Sequence, residues 1–143
     1  MNNLLIIILI GFAMIFDFLN GFQDSANVVA TMISSRAMTP TAALIIATVA
    51  NFIGPFVFGV AVAKTIGQDV ASTDSITISV VLAALLSASI WNLITWFFGI
   101  PSSSSHALIG GIIGAVLVGT GLQALKMEGL GLIAVALFLS PVL

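Results

Sequence analysis

Apolar residues occupy this chain in long runs, interrupted by few polar positions, rather than in alternation with polar ones. Four of them cover residues 4–19, 41–63, 76–100 and 107–125, each at or near the roughly 20 residues that cross a bilayer as a helix. A fifth starts near residue 130 and reaches 143, about 14 residues into a span that needs about 20, so this segment is expected to continue. The first run lacks the basic leader and small-residue cleavage site of a signal peptide, and polar positions continue its pattern inward, which predicts a retained helix. Together the runs predict an all-α integral membrane protein of about five hydrophobic helical segments, in a single membrane domain over residues 1–143.

Residues 3–35 would make one helix of roughly 50 Å, against a hydrocarbon core of ~30 Å. Such an element must tilt, protrude or break. Asn20-Gly21 is the expected break, since glycine costs roughly 1 kcal/mol in a helix and asparagine favours turns. At steps of three or four, Asp17, Asn20, Asp24, Asn27, Thr31 and Ser34 follow one another on a single face, and the other faces carry Ile, Leu, Phe, Val and Ala. A carboxylate facing lipid costs a few kcal/mol, so the stripe is expected to face protein or water.

"SRAMTPTAA" reads as a short turn, with Pro40 near the start of the second helix, where its missing N–H does no harm. "KTIGQDVASTDS" is the longest polar loop, and Asp74 or Ser75 is expected to cap the third helix. That helix carries Ser87, Ser89, Asn92 and Thr95 with Trp91 and Trp96. Gly110, Gly111, Gly114, Gly119 and Gly121 make the fourth glycine-rich, which lets helix backbones approach closely.

Composition narrows the function classes. Of 143 residues, 60% are hydrophobic and 6% charged, and the mean hydropathy is +1.30. With a net charge of −2 and no basic cluster, the chain offers nothing to nucleic acid or to a polybasic lipid site. It has no cysteine, hence no thiolate metal site. Arg36 falls on one side and Lys64 and Lys126 on the other if each run crosses once, a split too even for the positive-inside rule to set an orientation.

Two polar constellations interrupt this background. The first is "NGFQDSAN", residues 20–27. As a bland reading, Asp24, Asn20 and Asn27 hydrogen-bond neighbouring helices. As a functional one, an ionisable residue at membrane depth marks a site: Asp24 supplies a hard anionic oxygen and Asn20 and Asn27 amide oxygens, a set suited to a small hard cation or a proton. The second is "PSSSSH", residues 101–106. A helix starting at Ser104 or Ser105 would aim its unsatisfied N–H groups and positive dipole end at whatever sits among those hydroxyls, an oxyanion site. The dipole disfavours a cationic His106, which points to a neutral hydrogen-bonding role, and with no second His or Cys it cannot hold a metal alone.

No Arg or Lys lies inside an apolar run, so a bound oxyanion must be balanced by dipoles, hydroxyls and a co-bound cation or proton. Asp24 can hold that cation, or accept a hydrogen bond from the protonated oxygen of a hydrogen phosphate. Sulfate has no such proton, so phosphate is favoured. A serine hydrolase using one of Ser102–Ser105 with His106 is disfavoured, because side chains of immediate neighbours diverge at a helix start and no G-x-S-x-G elbow is present. A non-transporting membrane scaffold or assembly subunit, with glycines and serines serving only packing, is opposed by the polar stripe of the first helix.

"NGFQDSANVVATMISSRAMTP" and "WNLITWFFGIPSSSSHALIGGIIGA" resemble the two signature regions of the first repeat of the inorganic phosphate transporter family, in particular its bacterial low-affinity permeases. The similarity includes "NFIGPFVFGVAVAKTIG" between them, and so covers nearly the whole chain. It implies one half of an inverted-repeat transporter, with a broken first helix and a re-entrant or broken-helix SSSSH segment meeting at a central site. It implies secondary transport of inorganic phosphate, not enzymatic turnover, coupled to H+ or Na+ or carrying phosphate as a neutral divalent-metal complex, with no cofactor. Carried over residue by residue, phosphate falls to Ser103, Ser104, Ser105, His106 and Asn27, and the coupling cation or proton to Asp24, Asn20 and Asn27, with Na+ at Asp24 as the metal to consider. The implied partners are phosphate, membrane lipid, and a second repeat or second copy of the chain in a homo-oligomer; the implied location is the bacterial plasma membrane, as a multi-pass protein. Gln23 stands at a position often occupied by histidine or asparagine, and Asn51 where several sodium-coupled relatives carry glutamate, so the coupling ion stays open.

Overall fold

The structure, a computed structural model, describes residues 3–58 and 68–139. Within them the chain is helical: α1 (Asn3–Ser34), α2 (Pro40–Phe58), α3 (Ile78–Phe97), α4 (Ser104–Gly119) and α5 (Met127–Leu139), with 3-10 turns at Thr73–Ser75 and Leu122–Ala124. The five predicted segments are thus present, and α1, α2 and α3 are long and apolar enough to cross a membrane. At 16 and 13 residues, α4 and α5 are shorter than a full span. Residues 59–63 of the second run, Lys64 and residues 140–143 of the fifth lie outside the described residues.

The expected break in the first helix is absent. α1 runs unbroken through Asn20-Gly21 for 32 residues, roughly 48 Å at 1.5 Å per residue, so it must tilt or protrude. The reason is the solvent: a helical glycine costs about 1 kcal/mol, whereas each backbone group left unpaired in hydrocarbon costs several. The helix ends where Arg36 takes up φ 55°, and the bonds Arg36 N–H to Ile33 C=O (3.1 Å) and Ala37 N–H to Met32 C=O (3.2 Å) close a Schellman turn. α2 then starts at Pro40, as predicted. Pro55 inside α2 cannot donate to the carbonyl of Asn51, four residues back.

Neither Asp74 nor Ser75 caps α3. Both lie in the preceding 3-10 turn, and Thr77 caps instead, its hydroxyl accepting from the N–H of Val80 at 3.3 Å. α1 packs on α2 and α3, and α3 packs on α4. α3 and α4 approach closely at Gly111: a Cβ there would stand 2.6 Å from Ser87 Oγ and 2.8 Å from the Ala84 carbonyl oxygen. Behind α4, Ala71, Val80, Val116 and Leu125 form one apolar cluster, and Val70, Ile109 and Ile133 another. The N–H of Ser72 donates to the Ala124 carbonyl and that of Lys126 to the Val70 carbonyl, tying the loop before α3 to the turn after α4. Large apolar side chains such as Phe18, Phe52 and Phe56 remain more than two-thirds exposed on α1 and α2, surface that hydrocarbon rather than water must cover.

Candidate functional site

The serine segment is positioned by the way α3 stops. Gly99 adopts φ 64°, and its N–H bonds the Trp96 carbonyl at 3.1 Å while that of Ile100 bonds the Thr95 carbonyl at 2.8 Å. This is a second Schellman turn, here with the glycine that a positive φ favours. Pro101 follows and cannot continue the helix. Ser103, extended at φ −100° and ψ 118°, then caps α4: its hydroxyl accepts from the His106 N–H at 3.4 Å.

The four serines diverge. Ser102 Oγ accepts from the indole N–H of Trp91 at 3.1 Å. Ser103 Oγ lies 2.7 Å from His106 Nδ1. Ser104 is buried and its hydroxyl has no partner, and Ser105 and His106 are exposed. α4 thus starts at Ser104, the first of the two expected positions, Ser104 or Ser105.

On α1, Asn20 and Asp24 are half-buried, and Asp17, Asn27, Thr31 and Ser34 are exposed. The residue that reaches across to α3 is Gln23, whose Nε2 donates to the Asn92 carbonyl at 2.6 Å and to Thr95 Oγ1 at 3.4 Å. Asn27 lines a cleft of about 450 Å3 together with Gln23, Ser25, Thr95, Gly99 and Ser102. The two sequence motifs thus meet at one uncharged cleft, with Asp24 flanked by two of its lining residues. His106 faces elsewhere, into a larger groove of about 850 Å3 between α3 and α4 that it shares with Ser87, Trp91, Gly110 and Gly114. The structure brings Asn27 to Ser102 and Ser103 to His106; it places Asn27 and His106 on different clefts.

Several buried side-chain atoms lack a hydrogen-bond partner: Asn20 Oδ1, Gln23 Oε1, Ser89 Oγ, both amide atoms of Asn92, and Ser104 Oγ. They lie on α1, α3 and the first turn of α4. Sequence reasoning noted Ser89, Asn92 and Thr95 on the third helix and assigned them no role. Their spacing of three residues, which puts all three on one face of a membrane helix, is the signal that could have found them.

The sequence profile of the phosphate transporter family matches residues 20–143, which takes in both motifs and most of the chain. The chain belongs to the phosphate transporter family. It is 49% identical over 98% of its length to a protein of Bacillus subtilis (strain 168) named probable low-affinity inorganic phosphate transporter, and 39% identical over 99% to low-affinity inorganic phosphate transporter PitB of Escherichia coli (strain K12). It spans 42% of the first and 31% of the second. A solved structure titled as the sodium-dependent phosphate transporter superposes with a TM-score of 0.87 at 31% identity, covering 96% of this chain and 35% of that one. Among phosphate transporter family members this chain is thus similar to part of a longer protein. Its apolar helices and bacterial relatives make it a multi-pass protein of the bacterial plasma membrane.

Proposed function

We propose that this chain forms one repeat of a secondary transporter of inorganic phosphate, coupled to H+ or Na+. The observation that carries the reading is the single cleft joining Asn27 of the first motif to Ser102 at the entrance of α4. In this reading the phosphate oxygens are held by Ser103, Ser104, Ser105 and the free N–H groups of the first turn of α4, where the helix dipole favours negative charge. Asn27 adds an amide donor from α1, and His106 supports the site through Ser103 as a neutral ring. The coupling cation or proton belongs to Asp24 with Asn20 and Asn27. A second repeat, or a second copy of the chain, supplies the opposing wall of the site, as inverted-repeat transporters require. The Ser103–His106 hydrogen bond does not favour a hydrolase: the same hydroxyl caps α4, and the relatives are named as transporters.

The test is uptake of radiolabelled phosphate by liposomes containing the full-length protein, under imposed Na+ or H+ gradients. Ser103→Ala is expected to weaken phosphate dependence, and Asp24→Asn to abolish the response to the gradient. Gradient-driven uptake unchanged in Asp24→Asn would refute the role given to that carboxylate.

A further inference from the structure

We infer that Ser102 is a phosphate-contacting residue and Trp91 its positioning residue, the indole turning the Ser102 hydroxyl proton into the cleft between α1 and the entrance of α4. The inference rests on the phosphate-transport reading above and adds Ser102 to the contacts given there to Ser103, Ser104 and Ser105.

The cleft of about 450 Å3 has Gln23, Ser25, Asn27, Thr95 and Ser102 as its hydroxyl and amide side chains. The first two and Thr95 have their protons committed. Gln23 Nε2 donates to the Asn92 carbonyl at 2.6 Å and to Thr95 Oγ1 at 3.4 Å. Ser25 donates to the Phe22 carbonyl at 3.3 Å. The Thr95 hydroxyl donates to the carbonyls of Trp91 and Asn92, at 3.0 Å and 3.1 Å. Among the described residues, neither the Asn27 amide nor the Ser102 hydroxyl donates to an acceptor. The hydroxyl and amide donors left to a ligand therefore come one from each sequence motif.

Ser102 owes its free proton to its place in the chain and to Trp91. Ser25, Ser34 and Ser87 each donate to the carbonyl three residues back, the local bond that claims serine protons on a helix. Ser102 lies outside any helix, after Pro101 and the Gly99 turn, and its oxygen accepts from the Trp91 indole N–H at 3.1 Å. An indole N–H can only donate. The contact occupies a lone pair of Ser102 and leaves its proton to point elsewhere, into the cleft that the residue lines. Trp91 acts at two places: its indole fixes Ser102, and its carbonyl takes up the Thr95 proton. Its ring lines the α3–α4 groove and not this cleft, so Trp91 reaches a ligand through Ser102.

The remaining donors suit a phosphate oxygen. Hydrogen bonds to an ionised acceptor are roughly twice as strong as neutral ones, and a donor already aimed loses less freedom when the ligand arrives. Without its indole partner, the Ser102 hydroxyl would still reach the cleft but would have to be ordered by the phosphate itself.

The experiment measures uptake of radiolabelled phosphate against phosphate concentration in liposomes containing the full-length protein. Trp91→Phe keeps an aromatic ring and loses the indole N–H. It should raise the half-saturating phosphate concentration about three- to tenfold, in line with the loss of one hydrogen bond, with most of the effect on half-saturation rather than on the maximal rate. Ser102→Ala should raise it at least as much, and Ser102→Thr, which restores a hydroxyl, should recover most of that loss. Because Trp91 acts through Ser102, the double variant should be no worse than Ser102→Ala alone. Multiplying effects in the double variant, a loss of maximal rate alone in Trp91→Phe, or an unchanged half-saturation in Ser102→Ala would overturn the inference, while uptake by the wild type keeps the transport reading. Binding is read separately, from thermal unfolding of the full-length protein in detergent with phosphate titrated against chloride at fixed ionic strength. Without wild-type uptake, a phosphate-dependent rise in the midpoint that both single variants weaken would sink the transport reading and keep this contact; a rise that neither weakens, or no rise, would overturn both.

Discussion

At Gly111 α4 packs closely on α3, and substituting it tests whether that approach matters. A Cβ at this position would lie 2.6 Å from Ser87 Oγ, 2.8 Å from the Ala84 carbonyl oxygen and 3.2 Å from Ala84 Cα. Two of those atoms are α3 backbone, so relief requires moving a helix by several tenths of an ångström to reach the 3.4 Å at which ordinary contact begins. Ser87 cannot simply swing away, because its hydroxyl is bonded back to that same Ala84 carbonyl. Overpacking of this kind costs about 1–3 kcal/mol. Replacing a helical glycine also gains about 1 kcal/mol of propensity, which blurs the net value for Gly111→Ala alone. At Gly110 and Gly114 on the same helix, a Cβ meets nothing within 4 Å, so their alanine variants collect the propensity without the clash. The difference between Gly111→Ala and either control cancels propensity and should be about 1–3 kcal/mol. Unfolding of the full-length protein by SDS titration in mixed micelles, followed by far-UV circular dichroism, measures it. Equal midpoints for all three variants would refute the close-packing argument.

Two of the helix ends with positive φ should respond in opposite directions. Gly99→Ala at φ 64° should destabilise by about 1–2 kcal/mol and Arg36→Gly at φ 55° should stabilise by up to about the same, both read in the SDS titration. Removing the α4 cap with Ser103→Ala should cost about 0.5–2 kcal/mol while Ser103→Asn retains most of it, and the ratio of the two distinguishes capping from phosphate contact when uptake is measured alongside. Thr95→Val deletes one acceptor of Gln23 and should cost about 1 kcal/mol, measured the same way.

The long apolar runs made the helices legible, because a bilayer forces every backbone group into a helix regardless of local propensity. That same force hid the continuity of α1. Asn20-Gly21 is a sound breakpoint by water-based propensities, but in hydrocarbon the unpaired carbonyls and amides of a break cost more than the glycine does. The start of α4 was legible to within one residue, Ser104 or Ser105, since proline, a short polar run and a following glycine-rich stretch leave few ways to build a helix entrance. Gln23 was missed as a contact. It lies between the stripe positions Asn20 and Asp24, and only the angle at which α3 crosses α1 decides which of these polar side chains faces Asn92. His106 shows the same limit: its position beside the serines says nothing about which cleft its ring enters, and it turns toward the α3–α4 groove.

α3 holds its two neighbours by different physics, and Gln23 carries one of the two contacts. Lipid tails are as apolar as leucine, so burial alone gives helices in a bilayer little reason to associate. Against α4, α3 gains contact through shape, with Gly111 admitting Ala84 and Ser87 to near-backbone distance. Against α1 it uses a hydrogen bond from a side-chain amide to a main-chain carbonyl. Gln23 has two ends with two tasks: Nε2 holds α3, and Oε1 is buried without a partner. A leucine at this position removes both at once, and a glutamate keeps an acceptor but loses the donor that the Asn92 carbonyl requires. Either replacement therefore leaves the Asn92 carbonyl without its side-chain donor and loosens α1 from α3.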